Sequence, residues 1–140
     1  MAVALTGCGR DNTEMPPITP PLDVAAPPAD ASFTASGLAS KVLQPGNSNV
    51  RPTVTSTVRV NYTGWTTDGK MFDSSIPRGE PTEFTVGGVI PGWTEGLQLM
   101  VEGEKRRFWI PGPLAYGDTS TNPNVPTGML VFDIELLDVR

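Results

Sequence analysis

Histidine is missing from the 140-residue chain altogether. That excludes Ser–His and Cys–His nucleophile systems, His-ligated zinc and the commonest general base. Cysteine occurs once, as Cys8, so neither an internal disulfide nor a thiolate metal cluster can form. No glycine-rich loop opens a helix to cradle phosphate, and no Walker sequence is present. The acidic residues are scattered, without the close spacing of a calcium loop. No stretch is long and apolar enough to span a bilayer as a helix. Positive charge is also scarce: the formal net charge is −5. A nucleic-acid partner, which needs a basic face, is therefore not expected. The single basic run, Lys105-Arg106-Arg107, reads as the solvated face of a strand. Any catalysis by this chain is expected to need no cofactor, metal or covalent intermediate.

What is abundant is proline and glycine, 15 of each, which favour turns and loops. Six of the prolines fall between Gly9 and about Ser36, at positions 16, 17, 20, 21, 27 and 28. That segment has no hydrophobic periodicity. It is expected to be an extended, semi-rigid spacer, unable to bury enough apolar surface to offset its ordering entropy. Ahead of it stands Leu5-Thr6-Gly7-Cys8, which resembles the lipobox of bacterial lipoproteins. Only seven residues, apolar and uncharged, precede Cys8, so residues 1–8 read as the remnant of a signal. The expectation is a lipidated Cys8 (residues 1–8), a tether (9–35) and a folded domain (36–140). Such a protein would be held in the bacterial cell envelope by its lipid anchor alone, facing the periplasm or exterior.

From Ser36 onward short β-like runs alternate with turn signals. Residues 38–46 read as a strand ended by Pro45-Gly46. In 53–67, Val58, Val60 and Tyr62 share one face and Arg59 and Asn61 the other. Asp68-Gly69 is a strong turn signal, after which residues 70–75 return. Further strands are expected in 82–88, 103–111 and 129–139, the last with Leu130, Phe132, Ile134 and Leu136 on one face. In 103–111, Arg106, Phe108 and Ile110 oppose Lys105, Arg107 and Trp109. Only 92–100 reads as helix: Trp93, Leu97 and Met100 recur at i, i+4 and i+7, Pro91 suits the first turn and Gly103 the stop. One sheet with one apolar face needs a cover, and the helix supplies it. The fold class is α+β. Residues 112–128 read as a long binding loop.

Five motifs now stand in order: Val60-Asn-Tyr-Thr-Gly64, Asp68-Gly-Lys-Met-Phe-Asp-Ser-Ser75, Val89-Ile-Pro-Gly-Trp-Thr-Glu-Gly-Leu97, Leu114-Ala-Tyr-Gly-Asp118 and Leu130-Val-Phe-Asp-Ile-Glu-Leu-Leu137. In order and approximate spacing they resemble the FKBP-type peptidyl-prolyl isomerases, over nearly all of the chain from residue 36 onward. The resemblance implies a five- or six-stranded antiparallel sheet wrapped around one short helix. It also implies an apolar pocket that accepts a proline side chain. Its walls would be Tyr62, Phe72, Trp93, Tyr116 and Phe132, with Trp93 as the floor and Val89 and Ile90 at the rim. Asp73 would be the pocket carboxylate and Arg78 its ion partner. The Ile90 N–H and the Tyr116 hydroxyl would hold the substrate chain. Thr82 stands where members often carry an aromatic, and Gly88 where an acidic residue often precedes the rim. The loop after Asp118 offers Val125-Pro126 as its apolar contact.

By resemblance, the expected partners are Pro-containing polypeptides and macrolides of the tacrolimus type. The expected function is a monomeric isomerase that assists folding in the envelope. The competing expectation is a non-catalytic module or chaperone that holds proline segments in the same pocket.

Overall fold

Alternation is strongest between Val58 and Tyr62, and that segment becomes the most heavily paired strand. The computed structural model describes residues 20–119 and 126–140. Among them are seven strands: β1 (Ser32–Phe33), β2 (Ala39–Gln44), β3 (Thr57–Thr66), β4 (Met71–Ser74), β5 (Thr82–Thr85), β6 (Lys105–Ile110) and β7 (Leu130–Val139). They form one sheet in the order β1-β2-β6-β7-β3-β4, with β5 also on β3. Every pairing is antiparallel. β7 runs along one edge of β3 from Val58 to Thr66. The other edge is shared: β5 pairs with Thr57–Val60 and β4 with Thr63–Trp65.

The antiparallel sheet around one short helix is as expected. Each strand-like stretch read from the sequence holds a strand within its bounds, and β1 brings the number among the described residues to seven, above the five or six expected. The helix α1 is Pro91–Leu97. It stops earlier than the 3.6-residue pattern suggested. Leu99 and Met100 donate instead to Gly96 and Leu97, three residues back, and this tight turn still returns Met100 to the core. Gly103 lies beyond that turn, at φ +88°, where its N–H donates to the Leu136 carbonyl.

α1 covers the concave face through two glycines. A Cβ on Gly96 would lie 2.6 Å from Phe108 Cε1, and one on Gly92 would collide with Ile110. Their absence lets the helix backbone sit directly on β6. That closeness carries Trp93 into the core with Val58, Val60, Tyr62, Leu97, Phe132 and Ile134.

The opposite face of the sheet departs from expectation. The alternation in 103–111 points Trp109 outward, beside Lys105 and Arg107. Instead it is fully buried in a second cluster with Ala39, Trp65 and Val131. Val24, Ala31 and Met129 pack over them. Of the basic run only Lys105 is exposed to solvent. Arg107 pairs with Asp133 at 2.6 Å and Asp23 at 3.1 Å, Arg106 pairs with Glu104 at 2.9 Å, and both arginine side chains are only 17% exposed.

The cause lies in residues 20–35, which the sequence assigns to the spacer. β1 extends the sheet through Ser32↔Ser40 and Phe33↔Ala39. The Trp109 indole N–H donates to the Asp23 carbonyl at 2.9 Å, and Asp30 pairs with Lys41 at 3.1 Å. The folded part therefore begins before residue 36, and this stretch is a second cover for the sheet. Cys8 and the spacer up to residue 19 lie outside the described residues.

A chain beginning at residue 36 is expected to be less stable than one beginning at residue 20 by about 2–3 kcal/mol, comparable to exposing one large apolar side chain. Urea unfolding monitored by tryptophan emission checks this. The shorter chain should also emit further to the red, because Trp109 gains water. Equal midpoints and equal emission would make residues 20–35 an unimportant cover.

Candidate active site

The concave face is not filled at the end of the sheet where β3, β4 and the α1 N-terminus meet. A cavity of about 370 Å³ remains there, within the range of small-ligand sites. Tyr62, Phe72, Asp73, Phe84, Gly88, Val89, Ile90, Trp93, Tyr116 and Phe132 line it.

Each wall comes from a different element. Period-2 alternation turns Tyr62 of β3 inward. Phe72 and Asp73 follow on β4, and Phe132 sits on β7 opposite Gly64. The Val86–Gly88 3₁₀ turn leads into Val89 and Ile90. Pro91 then starts α1 with its φ preset and no N–H to leave unpaired, and Trp93 reaches the floor within the first turn. Trp93 is 4% exposed and meets three rings edge-on: Tyr62 and Phe84 at 5.2 Å and Phe132 at 5.3 Å. Phe72 meets Phe132 at 5.5 Å, also edge-to-face. Such T-shaped pairs are a favoured aromatic geometry.

A polar cluster borders this ring box. The Tyr62 hydroxyl donates to Asp73 Oδ2 at 2.7 Å. Arg78, from the 3₁₀ turn Ile76–Arg78, donates to the Tyr62 oxygen at 3.2 Å and to Thr82 Oγ1 at 3.2 Å. Its 3.4 Å pairing with Asp73 is half-exposed on both sides, so it adds little stability by itself. Its guanidinium also lies 5.9 Å from the Tyr62 ring centre. Behind them, the Tyr62 N–H donates to Ser75 Oγ at 2.9 Å, which fixes the backbone that carries the phenol. Burial, followed by the Asp73 acceptor, raises the Tyr62 pKa above its usual value, with Arg78 opposing. The phenol is therefore a standing donor to Asp73.

A group with a raised pKa adds stability that is complete below its unfolded value, near 10, and lost as pH climbs through the folded value. The chain has two tyrosines, so Tyr116→Phe leaves Tyr62 alone. Its tyrosinate absorbance is expected to appear only above pH 10 in the folded protein. A midpoint below that would refute the buried Tyr62–Asp73 arrangement.

The structure brings Tyr62, Phe72, Asp73, Val89, Ile90, Trp93, Tyr116 and Phe132 together around the cavity. Arg78 stands behind Asp73 and Tyr62 and does not line it. Tyr116 is 47% exposed at the mouth. Its loop starts with the 3₁₀ turn Gly112–Leu114 and a Gly117 N–H bond to the Gly112 carbonyl, while Val125 lies outside the described residues. Phe84 is the wall that sequence reasoning missed. Thr82 and Phe84 share a face of β5, so the ring absent at Thr82 enters two residues later. The alternation in Thr82-Glu83-Phe84 carried that signal. Among the described residues no group of acidic or cysteine side chains is placed to hold a metal, and no helix is long and apolar enough to cross a membrane.

The site can therefore take an apolar ring, strip it of water and offer a few fixed donors. None of the described residues that line it is a serine, threonine, cysteine or lysine nucleophile.

A family model described as FKBP-type peptidyl-prolyl cis-trans isomerase matches residues 48–137. The FKBP-type peptidyl-prolyl cis-trans isomerase FkpA of Aeromonas hydrophila is 48% identical over 107 residues, covering 76% of this chain and 40% of that protein. The FKBP-type 22 kDa peptidyl-prolyl cis-trans isomerase of Escherichia coli K12 is 49% identical over 107 residues, covering 76% and 52%. The chain thus spans about half the length, or less, of these curated relatives. The crystal structure of FkpA from Escherichia coli superposes with a TM-score of 0.74 at 44% identity, over 81% of this chain and 53% of that one. The crystal structure of AtFKBP13 does so at 0.71 and 33% identity, over 80% of this chain and all of that one.

Proposed function

The chain belongs to the FKBP-type peptidyl-prolyl cis-trans isomerase family, and from that premise we propose that it accelerates X–Pro rotation in polypeptides by desolvating the bond in its aromatic cavity. The observation that carries this reading is the ring box itself: Trp93 ringed edge-on by Tyr62, Phe84 and Phe132, and open on the cavity side.

The physical argument needs no acid, base or nucleophile. Amide resonance sets a barrier of ~18–20 kcal/mol, and X–Pro bonds turn over unaided in about tens to hundreds of seconds. In the twisted transition state that resonance is lost and the amide is less dipolar. Water favours the planar, polar ground state. A dry aromatic cavity withdraws that preference and so favours the transition state. Turnover near ~10² per second corresponds to a barrier of about 15 kcal/mol, so the site must remove about 3–5. Trp93, Phe72 and Phe132 hold the proline ring. The Ile90 N–H and the Tyr116 hydroxyl fix the chain beside it.

A protease-free proline isomerisation assay at micromolar protein tests the reading. Acceleration supports an isomerase. A folded protein with no acceleration, yet with proline-peptide binding, would make the cavity a holding site instead. The same cavity is proposed to admit tacrolimus-type macrolides, which competition in that assay would reveal.

The cellular setting is proposed from the sequence alone. Leu5-Thr6-Gly7-Cys8 supports lipidation at Cys8 and an envelope-tethered monomer that assists folding there. Mass spectrometry of protein from its native host should find acylated Cys8, and an unmodified N-terminus would refute the tether.

A further inference from the structure

The rim of the cavity is a weak piece of chain. Val86 to Ile90 includes Gly87-Gly88, which have little stiffness of their own. Apart from the Ile90 carbonyl, which the first turn of α1 takes up, two backbone bonds among the described residues tie this stretch outward: Val86 N–H to the Ser56 carbonyl and Gly87 N–H to the Val54 carbonyl, both 3.0 Å. Val54 itself is exposed. Yet the rim ends in Ile90, whose N–H has no partner among the described residues and borders the cavity.

Thr94 closes this stretch from the helix side. Its hydroxyl donates to the Val86 carbonyl at 2.7 Å. Its backbone N–H donates to the Ile90 carbonyl at 3.1 Å. One residue therefore grips both ends of the rim. A threonine inside a helix usually satisfies its hydroxyl on a carbonyl four residues back. Here the hydroxyl leaves the helix and reaches eight residues back instead. Its neighbour Trp93 is the cavity floor, so one turn of α1 sets floor and rim together.

We propose that Thr94 is a positioning residue for the isomerase reaction: its hydroxyl clasps the Val86–Ile90 rim and so aims the Ile90 N–H at the substrate carbonyl. This rests on the isomerase reading above. The substrate carbonyl is held in both ground and transition states, so loss of the clasp weakens both alike, which raises KM and spares kcat.

Thr94→Val keeps the shape and removes the hydroxyl, and Thr94→Ser restores the hydroxyl. With one net hydrogen bond at stake, Thr94→Val should raise KM about fivefold with kcat held within about twofold, and Thr94→Ser should stay within about twofold of the parent in both. Backbone amide relaxation by NMR gives a readout independent of activity: in Thr94→Val, but not Thr94→Ser, the Gly87, Gly88 and Ile90 amides should gain fast motion. Unchanged rim amides in Thr94→Val would overturn the clasp. Equal impairment in both variants would mean the hydroxyl is irrelevant and overturn it too. A parent chain that accelerates no isomerisation would overturn the isomerase reading and the kinetic role, whereas the amide data would still decide the clasp by themselves.

Discussion

Trp93→Ala is expected to cost both the fold and the reaction more than any other single truncation in the cavity. The indole is 4% exposed and meets three other rings at 5.2–5.3 Å. Removing it deletes the floor of the cavity and leaves a void under Tyr62, Phe84 and Phe132. Large-to-small changes of this kind cost about 3–5 kcal/mol, against a total of about 5–15 kcal/mol for a domain. Water can then reach the site from below. If half of the barrier reduction, about 1.5–2.5 kcal/mol, derives from dryness there, kcat/KM falls about ten- to seventyfold. Urea midpoints and the isomerisation assay, run below the variant's unfolding range, measure the two losses separately. Trp93→Phe separates them further, since it keeps an apolar ring and should lose much less of both. A stable Trp93→Ala chain with parental activity would remove the floor from the mechanism.

Much of this was legible in the sequence, for a local reason. Trp93 and Ile90 flank Pro91-Gly92, and that dipeptide dictates where the helix starts whatever surrounds it. Tyr62 could be placed because Val58, Val60 and Tyr62 alternate with polar neighbours, so its direction follows from the pleat. What escaped depends on contacts between distant residues. Asp23 meets Arg107 across 84 positions, and nothing in the proline-rich stretch around Asp23 signals that it lies on a sheet. A period-2 pattern assigns one face to solvent unless a second cover is known. Trp109 and Arg107 were misplaced for that reason. Phe84 escapes for a smaller reason: the resemblance points to Thr82, and the pleat allows the same wall to be supplied from the next inward position. Thr82 instead accepts a bond from Arg78, a use an aromatic there could not serve.

Gly64→Ala should damage the cavity by addition, where Trp93→Ala damages it by loss. Gly64 lies in β3 between Phe132 of β7 and Asp73 of β4. It shares the inward face with Tyr62, two residues away. A Cβ there would stand 2.7 Å from Phe132 Cε1 and 2.7 Å from Phe72 Cζ. Both rings are anchored in a sheet, and the 5.5 Å edge-to-face pair they form is possible only because β3 carries no side chain beneath it. One methyl group must therefore push one or both rings into the space a proline would fill. Overpacking of this kind costs about 1–3 kcal/mol, which a folded domain survives. The catalytic loss comes on top of that: a displaced wall blocks the substrate ring itself, and kcat/KM is expected to fall by more than about tenfold, the equivalent of ~1.4 kcal/mol or more in the barrier. Gly88→Ala is the comparison, because there the nearest atom to a new Cβ is Thr85 Cβ at 3.9 Å. It alters the same cavity lining without displacing a ring and should lose far less. Circular dichroism confirms that both variants are folded, and proline-peptide affinity, read beside the isomerisation rate, reports the cavity. If Gly64→Ala binds and isomerises like the parent, Phe72 and Phe132 must relax outward, and the cavity is then held by Trp93 and the rim rather than by that ring pair.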